Sequence, residues 1–275
     1  MNQLHTLLNS WWTDFRRGNP SAAMVHQLLS STENTIVHDH IALRTFDDQK
    51  VQIDALMMPL VSSGYTCKAK YTFPKTHISA QHYEHPDGSL PKVFISHLEC
   101  HHFSEKFQAT IETLLTQIPQ NLIGQWDFFL TARPWKISFD SYETLKNENA
   151  YAAWVAAFGF RPTHFAVQTN LLEQYSELTT LNSFLKTHGF ELNNTGGEIQ
   201  GSPEVFLEQS SLKAAKTLVE FSDGMYPITG TYYEFAKRYS MPNGTLFNGF
   251  IPESASNLFQ NTNSQAFTLD RSDAS

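Results

Sequence analysis

The sequence predicts an α+β fold in which two βαβββ units curl around one shared cavity, with helices flanking them. Three observations predict it. First, two short segments echo each other: His40-Ile41-Ala42-Leu43-Arg44-Thr45 and His164-Phe165-Ala166-Val167-Gln168-Thr169 both run His, apolar, Ala, apolar, polar, Thr. Second, the flanks match. In each half a helix follows and closes in glycine plus an aromatic residue, 24 positions from His40 to Gly64 and 25 from His164 to Gly189. A repeat with matched flanking elements is far more specific than six residues alone. Third, the 275 residues are 41% hydrophobic, 13% aromatic and 17% charged, enough to bury a sizeable, β-rich core.

The elements follow in order. Residues 1–17 form an amphipathic helix with Leu4, Leu7, Leu8, Trp11, Trp12 and Phe15 on one face. Gly18-Asn19-Pro20 ends it, and Ser21 caps a shorter helix to Leu29. Ile36 to Phe46 is a strand. A helix with Ile53, Leu56, Met57 and Leu60 on one face comes next, with Pro59 awkward inside it. Two or three strands cover 65–99, turning at His85-Pro86-Asp87-Gly88. Residues 103–118 are helical, and 119–160 run irregularly before a helical stretch at 141–157. Thr163 to Thr169 is a strand, a helix reaches Lys186, and further strands end near Tyr239. The chain is thus a single domain, 1–275, with modules at about 30–100 and 160–240. A helical connector, 101–159, covers the core, and a small, polar, mobile tail occupies 262–275.

Composition excludes several functions. The net charge is −8 with Lys and Arg scattered, so nucleic acid is not a partner. Cys67 and Cys100 are the only cysteines and form no CxxC pair, which argues against a disulfide framework or structural zinc. No run approaches the ~18 apolar residues of a membrane span, and no targeting segment opens the chain. A cytoplasmic enzyme or binding protein is the default.

The chemistry lies in the repeat. Alternation along a strand puts His38, His40, Ala42 and Arg44 on one face, and His164, Ala166 and Gln168 on one face of the other. Equivalent strands of two packed modules aim their histidines at one centre, while the small alanines leave room. Neutral imidazole suits divalent iron, zinc, copper and nickel, and two histidines call for an anionic third ligand. Glu234, in the last strand of the second half, is the candidate; Glu220 is its rival. His38 competes with His40, but only His40 aligns with His164. Repeat logic also carries His97 toward the metal, whereas His101 and His102 are exposed residues at a helix start. No Ser-His-Asp arrangement or phosphate-cradling loop is present.

At these residues the chain resembles the 2-oxoadipate dioxygenase/decarboxylase family, the hydroxyglutarate synthases, related in fold to the vicinal oxygen chelate enzymes. The resemblance rests on His40-x-x-x-Arg44-Thr45, Thr163-His164-Phe165 and Tyr232-Tyr233-Glu234-Phe235-Ala236-Lys237-Arg238. It extends through Pro91-Lys92-Val93-Phe94-Ile95-Ser96 and Phe247-Asn248-Gly249-Phe250-Ile251-Pro252, from about residue 30 to 262. It implies iron(II) held by His40, His164 and Glu234, with molecular oxygen and a 2-oxo acid as substrates. It also implies Arg44 as the catalytic, substrate-binding residue that grips the distal carboxylate, consistent with bidentate guanidinium–carboxylate pairing. The implied reaction converts 2-oxoadipate to 2-hydroxyglutarate and carbon dioxide, in lysine catabolism. His97 stands where an acidic residue is expected in relatives, and the chain is shorter than the longer members. The alternatives are a lyase, isomerase or hydrolase using zinc, nickel or manganese on the same scaffold, or a non-catalytic sensor of a small acid.

Overall fold

A computed structural model describes residues 3–251; the predicted tail, 262–275, and Pro252 of the last motif lie outside the described residues. The chain begins with α1 (Gln3–Gly18) and α2 (Pro20–Ser30), then enters β1 (His38–Phe46), α3 (Ile53–Ser62), β2 (Thr66–Phe73), β3 (Ile78–Glu84) and β4 (Lys92–Leu98). The connector holds α4 (Glu105–Leu115), α5 (Trp126–Leu130), α6 (Phe139–Glu148) and α7 (Ala150–Phe158). The second half runs β5 (His164–Gln168), α8 (Leu178–Thr187), β6 (Gln200–Ser202), β7 (Leu207–Ser211), β8 (Lys216–Phe221), β9 (Gly224–Thr229) and β10 (Tyr232–Arg238).

Both halves build the same four-stranded layout, and the two meet in one curled sheet of order β2-β3-β4-β1-β5-β10-β7-β6. In each half the first strand pairs in parallel with the last, β1 with β4 and β5 with β10. At the join β1 and β5 run antiparallel, with Ile41 opposite Phe165, His40 opposite Ala166, and Ala42 opposite His164. The local two-fold therefore passes through Ile41 and Phe165. It relates His40 to His164 and, through the matching registers, Phe94 of β4 to Glu234 of β10. A second echo lies outside the sequence match. Each half makes a short turn opening with proline, Pro74–Thr76 and Pro203–Val205, and leaves it through a left-handed residue, His77 (φ 53°) and Phe206 (φ 63°). One difference breaks the βαβββ order: the second half inserts the separate hairpin β8–β9 before its last strand.

The convex face of the sheet is buried under α1 and α2. Trp12 and Phe15 pack against Phe165, and Trp12 also meets Tyr233 and His38. Trp11 is buried as the amphipathic pattern predicts. The cap of α2 is Asn19, not Ser21: its side chain accepts the Ala22 N–H, and Pro20 takes the first helical position, where no N–H is needed. Helix α3 runs through Pro59. None of the described helices is long and apolar enough to cross a membrane.

The concave face is closed by two pieces. Helix α7 is buried along its whole length, a fully apolar helix whose tilt is fixed by polar anchors. Trp154 Nε1 donates to Gly230 O, and the Tyr151 hydroxyl engages Ser96 and the Thr45 N–H. After β10 the chain turns at Met241–Thr245, returns beside Tyr239, and lays Phe247, Phe250 and Ile251 across the concavity.

Gly159 ends α7 with φ 70° and ψ −141°, a combination open to glycine alone, and a Cβ there would lie 2.2 Å from Ala132 O. Gly159→Ala is expected to destabilise the fold by on the order of 3 kcal/mol. Urea denaturation against the parent protein checks this; an unchanged midpoint would contradict it.

Candidate metal centre

The site forms where the local two-fold brings first-strand residues together. His40 and His164 stand diagonally across the β1–β5 ladder, each opposite an alanine, and Glu234 reaches them from β10. His40 Nε2 lies 3.2 Å from His164 Nε2 and 3.3 Å from Glu234 Oε1, and His164 Nε2 is 3.6 Å from Glu234 Oε2. All three side chains are buried.

Neighbours fix both histidine tautomers. Asp39 Oδ1 is a carboxylate oxygen 2.8 Å from His40 Nδ1, so His40 donates from Nδ1 and keeps a lone pair on Nε2. The Thr163 hydroxyl donates to Ala42 O and so accepts from His164 Nδ1, which leaves the His164 Nε2 lone pair facing the same point. Gln209 Nε2 donates to Glu234 Oε1 at 2.6 Å, while Glu234 Oε2 is buried and accepts no hydrogen bond. Two imidazole lone pairs and an orphaned carboxylate oxygen thus converge without a donor between them. Buried acceptors in that arrangement repel unless a cation stands at their centre. The two imidazole nitrogens, 3.2 Å apart, match the roughly 3.0–3.4 Å between adjacent ligands of an ion with bonds of about 2.1 Å, and the Glu234 oxygens lie 3.3 and 3.6 Å from them. The residues present therefore fit a divalent metal ion.

The charges around the site respond accordingly. Burial opposes ionisation of Glu234, but the histidines beside it and the Gln209 hydrogen bond outweigh this and hold its carboxyl below the usual range. Burial pushes His164 down to about 3. Burial acts in the same sense on His40, yet the carboxylates of Asp39 and Glu234 beside it win and raise it. Asp39 would be raised by burial, but Arg238 holds it well below the carboxylate range. That pair is bidentate, with Arg238 Nε 2.6 Å from Oδ2 and Nη2 2.8 Å from Oδ1. Arg238 Nη1 also donates to the carbonyls of Phe247 and Gly249, tying the covering segment through Asp39 to His40. Phe250, edge-on to His40 at 4.9 Å, roofs the centre.

The structure settles three placements that the sequence left to strand alternation, repeat logic and a rival carboxylate. His38 does not share the face of His40. A β-bulge at Asp39 places two residues of β1 against one of β5, so His38 turns outward among Trp12, Phe165 and Tyr233. His97 pairs with Thr45 and faces away from the centre; the position equivalent to Glu234 in the first half is Phe94. Glu220 is exposed on β8, in the separate hairpin. The sequence reading missed Asp39, Gln209 and Arg238. Arg238 closes a quoted motif, but nothing local reveals that its partner lies 199 residues away.

Arg44 lies four positions beyond His40 on the same concave face, about 13 Å along the strand. It is buried, with its guanidinium 4.9 Å from the Tyr151 ring and 5.3 Å from the Trp154 ring. Burial lowers its pKa from a very high ordinary value. Tyr232 stacks on His164 and lies within the field of Arg44, so the guanidinium and the histidine pair border one space.

The family model described as 2-oxoadipate dioxygenase/decarboxylase matches residues 3–266. The chain is 29% identical over 253 residues to the chloroplastic 2-oxoadipate dioxygenase/decarboxylase of Arabidopsis thaliana, covering 86% of this chain and 68% of the relative. Among solved structures it is similar to rice hydroxyglutarate synthase in complex with 2-oxoadipate, with a TM-score of 0.90 and 26% identity over 95% of this chain and 92% of that one. It is also similar to a Shewanella frigidimarina protein described as a hydrolase, with a TM-score of 0.86 and 43% identity over 90% and 97%. The chain belongs to the 2-oxoadipate dioxygenase/decarboxylase family.

Proposed function

We propose that this protein is an iron(II)-dependent dioxygenase that decarboxylates a 2-oxo acid, with 2-oxoadipate as substrate and 2-hydroxyglutarate and carbon dioxide as products. The observation that carries the reading is the buried triad of acceptors, two Nε2 lone pairs and the unpartnered Glu234 Oε2, in a chain of this family. His40, His164 and Glu234 would hold the metal. Two histidines and one carboxylate are the ligand set that leaves sites open on non-heme iron. When bound, iron(II) supplies the Lewis acidity and redox capacity that bring the 2-oxo acid and oxygen together.

The chain's own residues do the rest. Asp39 keeps His40 in the ligating tautomer, and Thr163 does the same for His164. Arg44, framed by Tyr151 and Trp154, would take the far carboxylate of a diacid and so set its length and register. Helix α7 and Phe250 exclude water from the space between. A second reading is a metal-dependent hydrolase, favoured by the description of the Shewanella relative. The same ligands would then activate water instead of oxygen.

Oxygen uptake by anaerobically iron-reconstituted protein on addition of 2-oxoadipate tests the proposal. Uptake with release of carbon dioxide, abolished by His40→Ala and by Glu234→Ala, is expected. An iron-loaded protein that consumes no oxygen with any 2-oxo acid would sink the dioxygenase reading and favour the hydrolase. Arg44→Met is expected to lose on the order of 100-fold in kcat/KM for 2-oxoadipate but little for a 2-oxo monocarboxylic acid. Equal losses on both would remove Arg44 from carboxylate recognition. Asp39→Ala strands the buried Arg238 charge, so it is expected to cost about 3–5 kcal/mol of stability and to weaken metal binding about 10–100-fold. Denaturation and competitive metal titration measure the two effects separately.

A further inference from the structure

We propose that Glu99, His101 and His102 form a second, surface site for a divalent transition-metal ion of the zinc, nickel or copper class, separate from the buried centre. The three side chains offer ligand atoms that all lie within 4.8 Å of one another. They occupy the short turn where β4 hands over to α4, Cys100–His102, beside the exit of β1. His40 sits seven positions before Asp47, about 23 Å away at the rise of a strand, so the two sites share no ligand.

The carboxylates are held ready. Glu99 Oε1 accepts from the Ser79 hydroxyl at 2.8 Å, which leaves Oε2 free to face His102 Nε2 at 3.4 Å. Asp47 repeats the pattern: Oδ1 accepts the Cys100 N–H at 2.9 Å, and Oδ2 faces His101 Nδ1 at 3.5 Å. The Glu99–His102 separation exceeds the roughly 2.7–2.9 Å of a charge-assisted hydrogen bond. It matches instead the spacing of neighbouring ligands around an ion with bonds of about 2.1 Å. The rings are ordered among themselves: His77 stacks on His102 at 4.0 Å, and His101 lies 4.0 Å from His102. His77 is presented by the left-handed turn that both halves of the fold share. Two imidazoles with a carboxylate select borderline transition ions, whereas calcium and magnesium prefer oxygen alone. His101 is well exposed, so the ion would exchange with solvent and keep water ligands.

Titrating metal-depleted full-length protein with zinc, by calorimetry and by metal analysis after dialysis, tests the site. The parent protein is expected to bind two ions per chain, the His101→Ala/His102→Ala variant one, and Glu234→Ala one. The double variant keeps the buried ligands and is expected to retain oxygen uptake with iron. Glu99→Gln, which preserves shape and both imidazoles, is expected to lose the same ion. A double variant that binds as many zinc ions as the parent would overturn the proposal, as would Glu99→Gln binding like the parent. Failure of the iron-dioxygenase reading would leave these stoichiometries untouched.

Discussion

Two strands more than 120 residues apart in the chain, β1 and β5, hydrogen-bond to each other at the middle of the sheet, and their register fixes almost everything else. Because Ile41 faces Phe165, His40 and His164 fall on the same surface with an alanine opposite each. A slip of one residue would send one histidine to the convex side, into the aromatic packing of α1. The large buried residues on that convex side, Phe165 and Tyr233 against Trp12 and Phe15, make such a slip costly. The convex core therefore sets the geometry of the concave site, although no residue belongs to both.

That register alone would leave His40 without support. The bulge at Asp39 re-aims two successive residues: His38 turns outward into the aromatic cluster, while Asp39 serves both His40 and Arg238. A buried carboxylate and a buried guanidinium are each expensive in isolation, and their bidentate pairing offsets that cost. Arg238 Nη1 donates to the carbonyls of Phe247 and Gly249, which bring Phe250 over the centre. The cover of the site, the orientation of one ligand and the end of the last strand are thus one connected hydrogen-bonded unit.

Much of this was legible in the sequence, for a definite reason. A repeated pattern carries long-range information that a single strand does not, so matching His40 with His164 located the centre before any contact was known. Glu234 followed from the expectation that first and last strands meet, which the parallel β5–β10 pairing realises. What stayed hidden depends on features with no local signature. Alternation misplaced His38 because a bulge shifts the period, and repeat logic misplaced His97 because position along a strand was counted without a register. The β8–β9 hairpin went unseen as an insertion, since its strands resemble members of the main sheet. Asp39 and Arg238 find each other only in the fold.

The equivalence of Phe94 and Glu234 has a consequence for how such a centre could arise. Two identical half-chains assembled as a symmetric dimer would reproduce every side chain on both sides of the axis. They could supply two histidines, but then either two carboxylates or none. A single acid facing a phenylalanine is possible only once the halves are joined and free to diverge. Joining the halves does more than tether two modules: it permits an asymmetric cluster, with an acid on one side of the axis and an apolar ring on the other.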